Sequence, residues 1–383
     1  MGLIYFICGI ALLQGVVSLL QGIQSVRHIR RYRPQSIWRP RVVVFCPCRG
    51  ADVGFRENVR SILDQDYPDF RVVFIVDSAG DPAAHLLGEM KATVLVAGDA
   101  VNCGQKVHNL VYGVENAAGN AEVFVFCDVD ARFPREWITR LIAPLDGRDV
   151  AVSTGYRWYA AEQGSLPDLL RSSWNASVVT TLSARGRNFA WGGSMALRRE
   201  VFEEIGVRKA WNGALSDDYA VTHAAVRAGK RIVFVPQCLI PSYGSCTWPE
   251  LLEFTTRQIL ITRIYDPASW RVALFAQTVF NIAFWAGLLL PWPYRLVTPA
   301  LWVLAGMKSH IRYGAVATVL PEGALSKHRA SYILLAPLTA LLFEYNLLMS
   351  VVGRSITWRQ IRYKLIAPNR TEVYRGDAAS STP

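Results

Sequence analysis

The chain has 383 residues, of which 51% are hydrophobic and 19% are charged, and its formal net charge is +11. The hydrophobic share and the 12 tryptophans exceed what a soluble domain needs, and the excess lies towards the two ends of the chain. The basic residues form no basic-aromatic nucleic-acid motif, and many of them flank apolar segments. This pattern indicates contact with an anionic membrane surface and excludes nucleic acid as a partner.

The cysteines also restrict the class of protein. There are seven, an odd number, and several lie inside strand-like runs such as VVVFCPCRG and FVFCD. This pattern argues against a disulfide framework and is typical of a reducing compartment. Cys46 and Cys48 lack the spacing of a metal knuckle, so we interpret both as packing residues at the end of a strand.

The N-terminal segment is predicted to be a membrane anchor. Residues 2–21, GLIYFICGIALLQGVVSLLQ, carry no charge and reach the roughly 20 residues that span a bilayer. A cleaved signal peptide would have basic residues before the apolar run and a small-residue cleavage site after it. Here a basic linker, residues 22–40, follows instead. By the positive-inside rule, the N-terminus lies outside and the chain from residue 27 onward is cytoplasmic.

Residues 41–265 are predicted to form a cytoplasmic α/β domain. Short β-rich apolar runs alternate here with helical segments, which favours a parallel, doubly wound sheet. The runs cover residues 41–48, 70–77, 92–98 and 122–128. In such sheets, ligands bind outside the carboxyl ends of the strands.

Two Asp-x-Asp pairs compete for a metal-binding role. Asp128 and Asp130 stand where a buried strand ends, whereas Asp64 and Asp66 end a helical stretch before a turn at Pro68, where acids are common. Two carboxylates so close together repel each other unless a cation neutralises them. A hard divalent ion does so and leaves room for substrate phosphates. We therefore predict Mg²⁺ or Mn²⁺ at Asp128 and Asp130, with a plain surface turn as the alternative.

Asp217 and Asp218 form a further acidic pair, at the start of a helix predicted from Tyr219 to Ala228. Acids are favoured at a helix N-terminus by capping and by the helix dipole. One cap needs only one acid, so the second carboxylate is surplus. It is placed to act as a general base toward a hydroxyl.

The ordered motifs resemble the family 2-type inverting glycosyltransferases, most closely the membrane-anchored ceramide glucosyltransferase group, over roughly residues 1–366. FVFCDVDARF resembles the metal-and-sugar-nucleotide motif, IVDSAGDPA the first aspartate motif and GQKVHNL the lysine-and-asparagine motif. WGGSMALRREVF resembles the acceptor-side segment, and SDDYAV the third aspartate motif, which holds the base. The resemblance implies a GT-A-type nucleotide-sugar-binding domain with membrane helices at both ends.

The resemblance also implies roles for individual residues. Asp218 is the expected base with Asp217 beside it, and the metal ligands are Asp128 and Asp130. Donor-binding residues are expected at Pro47, Asp77, Asp81, Lys106, Asn109, Asp128, Arg257 and Arg263, and acceptor-side residues at Trp191, Gly193 and Ser194. Asp81 is the closest match to the first aspartate motif, and Asp77 is the strand-end alternative.

One departure from the family concerns the phosphate contact. The family's terminal (Q/R)-x-x-R-W element becomes Arg257-Gln-Ile-Leu-Ile in this chain, so its Arg-Trp pair is missing. Arg263 lies nearly two helical turns after Arg257. Arg263 is the candidate to replace the missing arginine as a phosphate clamp, and the retained Arg257 acting alone is the alternative.

Residues 266–366 are predicted to return to the membrane, and residues 367–383 to form a polar tail. Segments 272–292 and 294–307 are a spanning pass and a short return pass. Segment 331–352 is long enough to cross but contains Glu344. A full crossing would leave the basic residues after it outside, against the positive-inside rule. A re-entrant or interfacial segment is therefore favoured, with a plain fourth helix as the alternative.

The sequence thus predicts a metal-dependent inverting hexosyltransferase on the cytoplasmic face of a bacterial inner membrane or an organelle membrane. It would move glucose from a UDP-sugar to the hydroxyl headgroup of a lipid such as ceramide or diacylglycerol. The alternatives are a processive polysaccharide synthase, a polyprenyl-phosphate sugar transferase and a binding scaffold without activity. The small number of spanning segments disfavours a polymer channel, and the intact set of acids disfavours a scaffold.

Overall fold

The structure is a computed structural model that describes residues 2–184, 187–321, 323–325 and 329–375. Within the described residues the chain divides into two compact units. The helical unit is made of the chain up to residue 33, residues 157–188 and residues 239–352. The α/β unit is made of residues 34–156, residues 189–238 and the chain from residue 353 onward. The predicted domain over 41–265 is therefore not continuous, because two of its segments belong to the helical unit.

The elements are numbered in chain order through both units. The strands are β1 (Val42–Cys48), β2 (Phe70–Val76), β3 (Val94–Val96), β4 (Val123–Cys127), β5 (Val150–Tyr159), β6 (Ser194–Arg198), β7 (Arg231–Ser242), β8 (Ser355–Trp358), β9 (Ile361–Ala367) and β10 (Arg370–Arg375). The helices are α1 (Gly2–Arg31), α2 (Phe55–Leu63), α3 (Pro82–Glu89), α4 (Gln105–Ala117), α5 (Trp137–Ile142), α6 (Leu166–Val179), α7 (Arg199–Glu204), α8 (Val207–Trp211), α9 (Asp217–Arg227), α10 (Trp248–Tyr265), α11 (Pro267–Gly287), α12 (Val297–Val316), α13 (Arg329–Leu334) and α14 (Ala336–Val352).

The main sheet has the strand order β3-β2-β1-β4-β6-β5-β7 within the described residues. Strands β1 to β4 pair in parallel, which confirms the predicted parallel sheet over this part. Strand β6 pairs antiparallel with β4 and with β5, which the sequence did not predict. Since Ser194 at the start of β6 faces Cys127 at the end of β4, the chain enters β6 at the carboxyl end of β4 and has to run back along it.

Aromatic packing between the sheet and its helices forms the core of the α/β unit. The ring of Phe126 lies 5.7 Å from that of Phe45 and 5.5 Å from that of Trp211, and all three side chains are fully buried. Strands covered on both faces are expected to be continuously apolar rather than alternating. This is the pattern of β1, β2 and β4, which explains why their positions were predictable. All seven cysteines are buried free thiols, including Cys46 and Cys48 in β1.

Strands β8, β9 and β10 form a second, antiparallel sheet within the α/β unit. The Tyr363 hydroxyl accepts a hydrogen bond from the Gln105 backbone N–H (3.3 Å), and the Thr371 hydroxyl donates to the Gly213 carbonyl (2.9 Å). The predicted boundary at residue 366, between a membrane region and a polar tail, is therefore wrong for residues 353–375. These residues pack onto the α/β unit because the apolar members of β9 alternate with charged ones and cover one face.

In the helical unit, one helix among the described residues, α1, is long and apolar enough to cross a membrane by length and composition. The predicted segments at 272–292 and 294–307 fall mainly on α11 and α12. The predicted segment at 331–352 is divided into α13 and α14 by a turn at Leu335. Glu344 of α14 faces α11, where its Oε1 accepts a hydrogen bond from the Thr278 hydroxyl (2.7 Å).

Helices α1 and α12 pack closely at two glycines that lie seven residues apart. A Cβ at Gly15 would lie 2.9 Å from the Leu304 side chain, and a Cβ at Gly22 would lie 3.0 Å from that of Lys308. Lys308 also donates to the Ser18 hydroxyl (2.8 Å). The earlier residue of α1 contacts the earlier residue of α12, and the later contacts the later. The two helices therefore run in the same direction.

Candidate active site

A buried cluster of charge at the carboxyl edge of the main sheet joins three of the predicted site residues. Lys106 Nζ lies 2.8 Å from Asp128 Oδ1 and 3.3 Å from Asp217 Oδ1. Asp128 directly follows β4, Lys106 is in the first turn of α4, and Asp217 is the first residue of α9. All three belong to the α/β unit, so distant parts of the sequence place one cation between two carboxylates.

Gly104 allows α4 to start next to the segment that precedes α9. Its N–H donates to the Ala214 carbonyl (2.9 Å), and a Cβ on it would lie 2.6 Å from the Leu215 carbonyl oxygen. A side chain would force the two segments apart. The glycine thus brings Lys106 and Asp217 within ion-pair distance, and the positive ends of two helix dipoles point towards the cluster.

Gly192 and Gly193 form the turn that enters β6 beside this cluster. The Gly192 N–H donates to Asp218 Oδ2 (3.1 Å), and a Cβ at Gly192 would lie 2.8 Å from Lys106 Nζ and would overlap the Asp217 carboxylate. A Cβ at Gly193 would overlap the half-buried Trp191 ring. Gly192 was not among the predicted site residues, although two glycines directly before a strand signal a close backbone approach.

The start of α9 differs from the prediction. The helix begins at Asp217 rather than Tyr219, and its N-cap is Ser216, whose hydroxyl accepts from the Tyr219 N–H. Asp218 Oδ1 accepts a hydrogen bond from the same N–H (2.8 Å) and another from the Ser216 hydroxyl. Ser216 and Asp218 therefore share the capping bond to the Tyr219 N–H, and Asp217 is not required for it. The two acids then differ in access, because Asp218 is half-buried and Asp217 is only 4% exposed.

Burial and charge act in opposite directions on this cluster. The pKa of Asp217 is raised to about 7, mainly by burial; Lys106 acts to lower it, and the charges of Asp218 and Asp128 act to raise it. Burial lowers the pKa of Lys106, but Asp128 and Asp217 outweigh it, so the net shift is upward. Asp217 Oδ2 is buried without a hydrogen-bond partner among the described residues. Lys106 therefore stays charged, and Asp217 holds its proton more readily than a normal aspartate.

Two of the predicted donor-binding acids lie at the edge of the same sheet. Asp77, directly after β2, pairs with Arg49. Asp81 is the N-cap of α3, where it accepts from the Ala83 N–H (2.8 Å), and it also accepts from the Gly50 N–H (2.9 Å). Asp81 therefore has a structural role that its motif did not predict, while Asp77 occupies the predicted strand-end position.

Three other predicted residues lie inside the fold. Asn109 is 1% exposed and bonds to the Ile75 carbonyl (3.3 Å) and to the Gln105 side chain (2.7 Å), so it fixes α4 against β2. Ser194 is fully buried, and its hydroxyl accepts a hydrogen bond from Trp137 Nε1 (2.8 Å). Pro47 is half-buried within β1, one residue before its end.

The two predicted phosphate-binding arginines are on α10, in the helical unit. Arg257 pairs with Glu253 one helical turn away (2.5 Å), and Arg263 donates to the Val351 carbonyl (2.6 Å). The prediction that Arg263 replaces the missing Arg-Trp element stays a prediction.

The two Asp-x-Asp pairs lie in different surroundings. Asp64 ends α2, and the Asp66 N–H donates to the Arg135 carbonyl (2.8 Å), as expected for a structural turn. Asp128 and Asp130 are both half-buried at the end of β4. Within the part of the chain that the structure describes, no group of three or more His, Cys, Asp or Glu side chains is arranged to hold a metal.

Solved structures share this fold. A mannosyltransferase from Pyrobaculum calidifontis, solved in complex with GDP-Man and Mn²⁺, matches 91% of this chain and 98% of its own with a TM-score of 0.50 and 17% identity. At that identity the likeness establishes the fold alone. It supports the predicted GT-A-type architecture with an apolar N-terminal helix.

Two further likenesses are looser. GalNAc-T7, solved with UDP, GalNAc and Mn²⁺, matches 69% of this chain with a TM-score of 0.41 and 13% identity, and this chain spans about half of its length (55%). Glucosyl-3-phosphoglycerate synthase from Mycobacterium tuberculosis, solved with Mn²⁺ and UDP-Glc, matches 59% of this chain and 78% of its own with a TM-score of 0.37 and 16% identity.

The sequence itself settles the family. The profile of glycosyl transferase family 21 matches residues 3–370, which include β1 to β9, the cluster around Lys106 and the apolar segments. The match covers nearly the whole chain and supports glycosyl transfer from a nucleotide-sugar donor. The chain therefore belongs to glycosyl transferase family 21.

Proposed function

We propose that this chain transfers glucose from UDP-glucose to the hydroxyl group of a membrane lipid such as ceramide or diacylglycerol, with inversion at the anomeric carbon. The observation that carries the proposal is the position of Asp218 beside the cluster of Lys106, Asp128 and Asp217 at the carboxyl edge of the sheet. Ligands of parallel α/β sheets bind at this edge.

Asp218 is the general base. The Gly192 N–H, the Tyr219 N–H and the Ser216 hydroxyl orient its carboxylate, and a carboxylate has about four acceptor positions, so one is left beyond these three bonds. The acceptor hydroxyl oxygen attacks C1 of the sugar while Asp218 takes its proton. The bond from C1 to the phosphate oxygen breaks in the same displacement, and UDP leaves. Asp217 is too buried to reach the acceptor, so it positions Lys106.

Asp128 and Asp130 fit a divalent cation, Mn²⁺ or Mg²⁺. They supply half-buried carboxylates at a strand end, and ions of this kind bind through one or two carboxylates together with substrate phosphates. No third protein ligand is then required, which agrees with the small acidic set at this edge. When bound, the cation stabilises negative charge on the leaving diphosphate. Lys106 pairs with Asp128 (2.8 Å) and adds a positive charge beside this site.

A lipid acceptor requires a membrane-embedded helical unit. Large apolar side chains are exposed on several of its helices, which is rare on soluble monomers; they include Leu3, Phe6, Leu13, Val272, Phe275, Trp302 and Val303. The basic residues of α1 lie in its last turn, and Lys308 and Arg312 lie in the second half of α12. Because the two helices run in the same direction, both carry positive charge towards the same side, as the positive-inside rule requires.

The order of the segments supports the predicted topology. Residues 34–156 and 353–375 belong to one unit and must lie on one side of the membrane. The chain between them therefore crosses an even number of times. With α11 leaving the cytoplasm and α12 returning to it, α13 and α14 do not cross. This favours the re-entrant segment over a plain fourth helix.

The acceptor and the sugar are tested together. Purified chain in lipid vesicles is incubated with radiolabelled UDP-glucose, UDP-galactose or GDP-mannose, and with ceramide, diacylglycerol or polyprenyl phosphate. We expect label from UDP-glucose in an extractable ceramide or diacylglycerol product, and none for Asp128→Asn. Label that enters only polyprenyl phosphate or a non-extractable polymer would contradict the proposal.

The base is tested by Asp218→Asn. Because Ser216 caps α9, the variant should keep its melting temperature and its affinity for UDP. Transfer should fall by roughly 10² to 10⁴, the usual contribution of a positioned general base. Asp217→Asn should cost less transfer, because that residue acts through Lys106. A folded, UDP-binding Asp218→Asn chain with near wild-type transfer would refute the assignment and leave His223 on the same helix as the next candidate.

A further inference from the structure

A hairpin of the C-terminal sheet carries an arginine to the edge of the main sheet where the donor is proposed to bind. Strands β8 and β9 pair Trp358 with Ile361, so Arg359 and Gln360 form the connecting loop. The Arg359 guanidinium donates to both carboxylate oxygens of Asp52, with 2.8 Å from Nη1 to Oδ1. Asp52 lies between β1 and α2, just past the carboxyl end of β1.

The neighbours of this loop belong to the proposed donor site. Arg49, which follows β1 and pairs with Asp77, donates from Nε to the Arg359 carbonyl (3.0 Å). The hydrogen bond with Asp52 raises the pKa of Arg359 against the lowering by burial, and the charges of Asp130 and Asp81 raise it further. Arg359 therefore stays charged beside the segment that follows β1.

The backbone of the loop is unusual for the residues it contains. Arg359 has φ 49° and Gln360 has φ 67°. Two-residue hairpin loops with two positive φ angles strongly prefer Asn and Gly, since other side chains are strained there. Backbone strain of this kind concentrates at functional sites. Asn or Gly at this position would make the loop more stable. The presence of an arginine instead indicates that its guanidinium has a functional role.

Arg359 is also a cation that can change partners. Lys106 is largely buried, and two carboxylates share its charge. The Arg359 and Asp52 side chains are 41% and 48% exposed, and exposed ion pairs add little to stability. The guanidinium can therefore exchange Asp52 for another anion at low cost. Its planar fork makes paired hydrogen bonds with phosphate oxygens as well as with a carboxylate.

We propose that Arg359 binds the diphosphate of the nucleotide-sugar donor, exchanging Asp52 for phosphate oxygens when the donor arrives. This inference rests on the proposed function and gives the C-terminal sheet a part in donor binding. It also supplies, from within the α/β unit, the phosphate contact that the missing Arg-Trp element would have made. Asp52 holds the arginine in place while the site is empty.

The test is isothermal titration of the full chain in detergent with UDP, GDP and uridine in the presence of Mn²⁺. For Arg359→Ala, the affinity for the nucleoside diphosphate that the wild type binds should fall about tenfold to a hundredfold. Binding of uridine, which has no phosphate, should not change. Arg359→Lys should recover part of the loss, since a point charge lacks the fork. Arg362→Ala is the matched control, because Arg362 is exposed on the same hairpin.

Two more variants separate phosphate binding from a structural ion pair. Asp52→Asn should bind the diphosphate as well as the wild type or better, because it no longer competes for Arg359. Arg359→Asn suits the loop conformation. It should melt at or above the wild-type temperature and still bind the diphosphate about tenfold more weakly or worse. Loss of binding in a more stable protein cannot come from misfolding.

The possible results separate the two proposals. If the wild type binds neither UDP nor GDP with Mn²⁺, the proposed function fails and the inference fails with it. If the wild type binds and Arg359→Ala binds equally well, only the inference is overturned. Equal losses of affinity and of melting temperature in Arg359→Ala and Asp52→Asn would show a structural ion pair and would also overturn it.

Discussion

Two groups of charged residues in the α/β unit differ in burial, and this difference indicates that they have different roles. In the Lys106 cluster the side chains of Lys106 and Asp217 are 13% and 6% exposed, and removal of one partner from such a pair typically costs about 3–5 kcal/mol. The pair of Arg359 and Asp52 is about half exposed, and such pairs contribute about 0–1 kcal/mol. The buried group is a fixed frame for the reacting carboxylates, and the exposed pair is an exchangeable contact.

The largest expected effect is on stability, from Lys106→Met. The variant leaves Asp128 and Asp217 near each other without their shared cation, so the free energy of unfolding should fall by about 3–5 kcal/mol. Chemical denaturation followed by tryptophan fluorescence measures it. The free energy of unfolding of Lys209→Met, a control exposed on α8, should stay within about 0.5 kcal/mol of the wild-type value.

For the exposed pair, Arg359→Ala should lower the free energy of unfolding by no more than about 1 kcal/mol. Equal stability of the Lys106 and Lys209 variants would remove the distinction between a fixed and an exchangeable group.

The next effect is on catalysis, from Asp128→Asn and Asp130→Asn. Each variant loses a ligand that stabilises charge on the leaving diphosphate, so transfer should fall about a hundredfold or more, and the Mn²⁺ dependence should weaken. Asp64→Asn and Asp66→Asn, from the turn after α2, are matched controls with unchanged transfer. The measurement is the initial rate of lipid glycosylation over a Mn²⁺ series. Full transfer by Asp128→Asn or Asp130→Asn in the presence of a chelator would contradict the metal assignment.

The difference between the two groups also explains what the sequence could predict. Strands β1, β2 and β4 are continuous apolar runs because both faces are buried, so Asp77 and Asp128 could be placed at strand ends before the structure was known. Strand β5 reads VAVSTGYRWY, and its serine, threonine and arginine are buried with the apolar residues. No apolar periodicity marks such a strand, so it was missed.

The C-terminal sheet shows a different reason for failure. In β9, Ile361, Tyr363 and Leu365 are buried and alternate with Arg362 and Lys364, a period of two that is typical of a strand covered on one face. The same basic residues are also typical of the flank of a membrane segment, which is how they are interpreted from the sequence alone. Both interpretations fit the local composition. Only the long-range contacts with Gln105 and Gly213 decide between them, and no local pattern encodes those contacts.

The site could be predicted only in part, because local motifs identify some of its residues and long-range contacts determine the others. Three site residues come from motifs whose charged side chains already indicate a binding or catalytic role: Lys106, Asp128 and Asp217. The roles of Gly192 and Arg359 depend on what lies across the fold from them. The sequence also could not show that Ser216 shares the capping of α9 with Asp218, because serine and aspartate are equally good caps.

The smallest predicted effect is the pH dependence of stability that Asp217 contributes. Burial raises its pKa to about 7, whereas an aspartate in the unfolded chain titrates near about 3.9. Between these two values the folded chain keeps a proton that the unfolded chain has lost, so rising pH favours the unfolded state and this contribution to stability falls. The Asn side chain of Asp217→Asn cannot ionise, so the stability of this variant does not decrease with pH for this reason. Measured in chelator, its unfolding free energy relative to the wild type should therefore rise by about 1–3 kcal/mol from pH 5 to pH 8. Asp69→Asn, an exposed control, should show no such trend. A difference that stays flat, or that moves towards the wild type as pH rises, would mean that Asp217 is ionised throughout, and that Lys106 outweighs its burial.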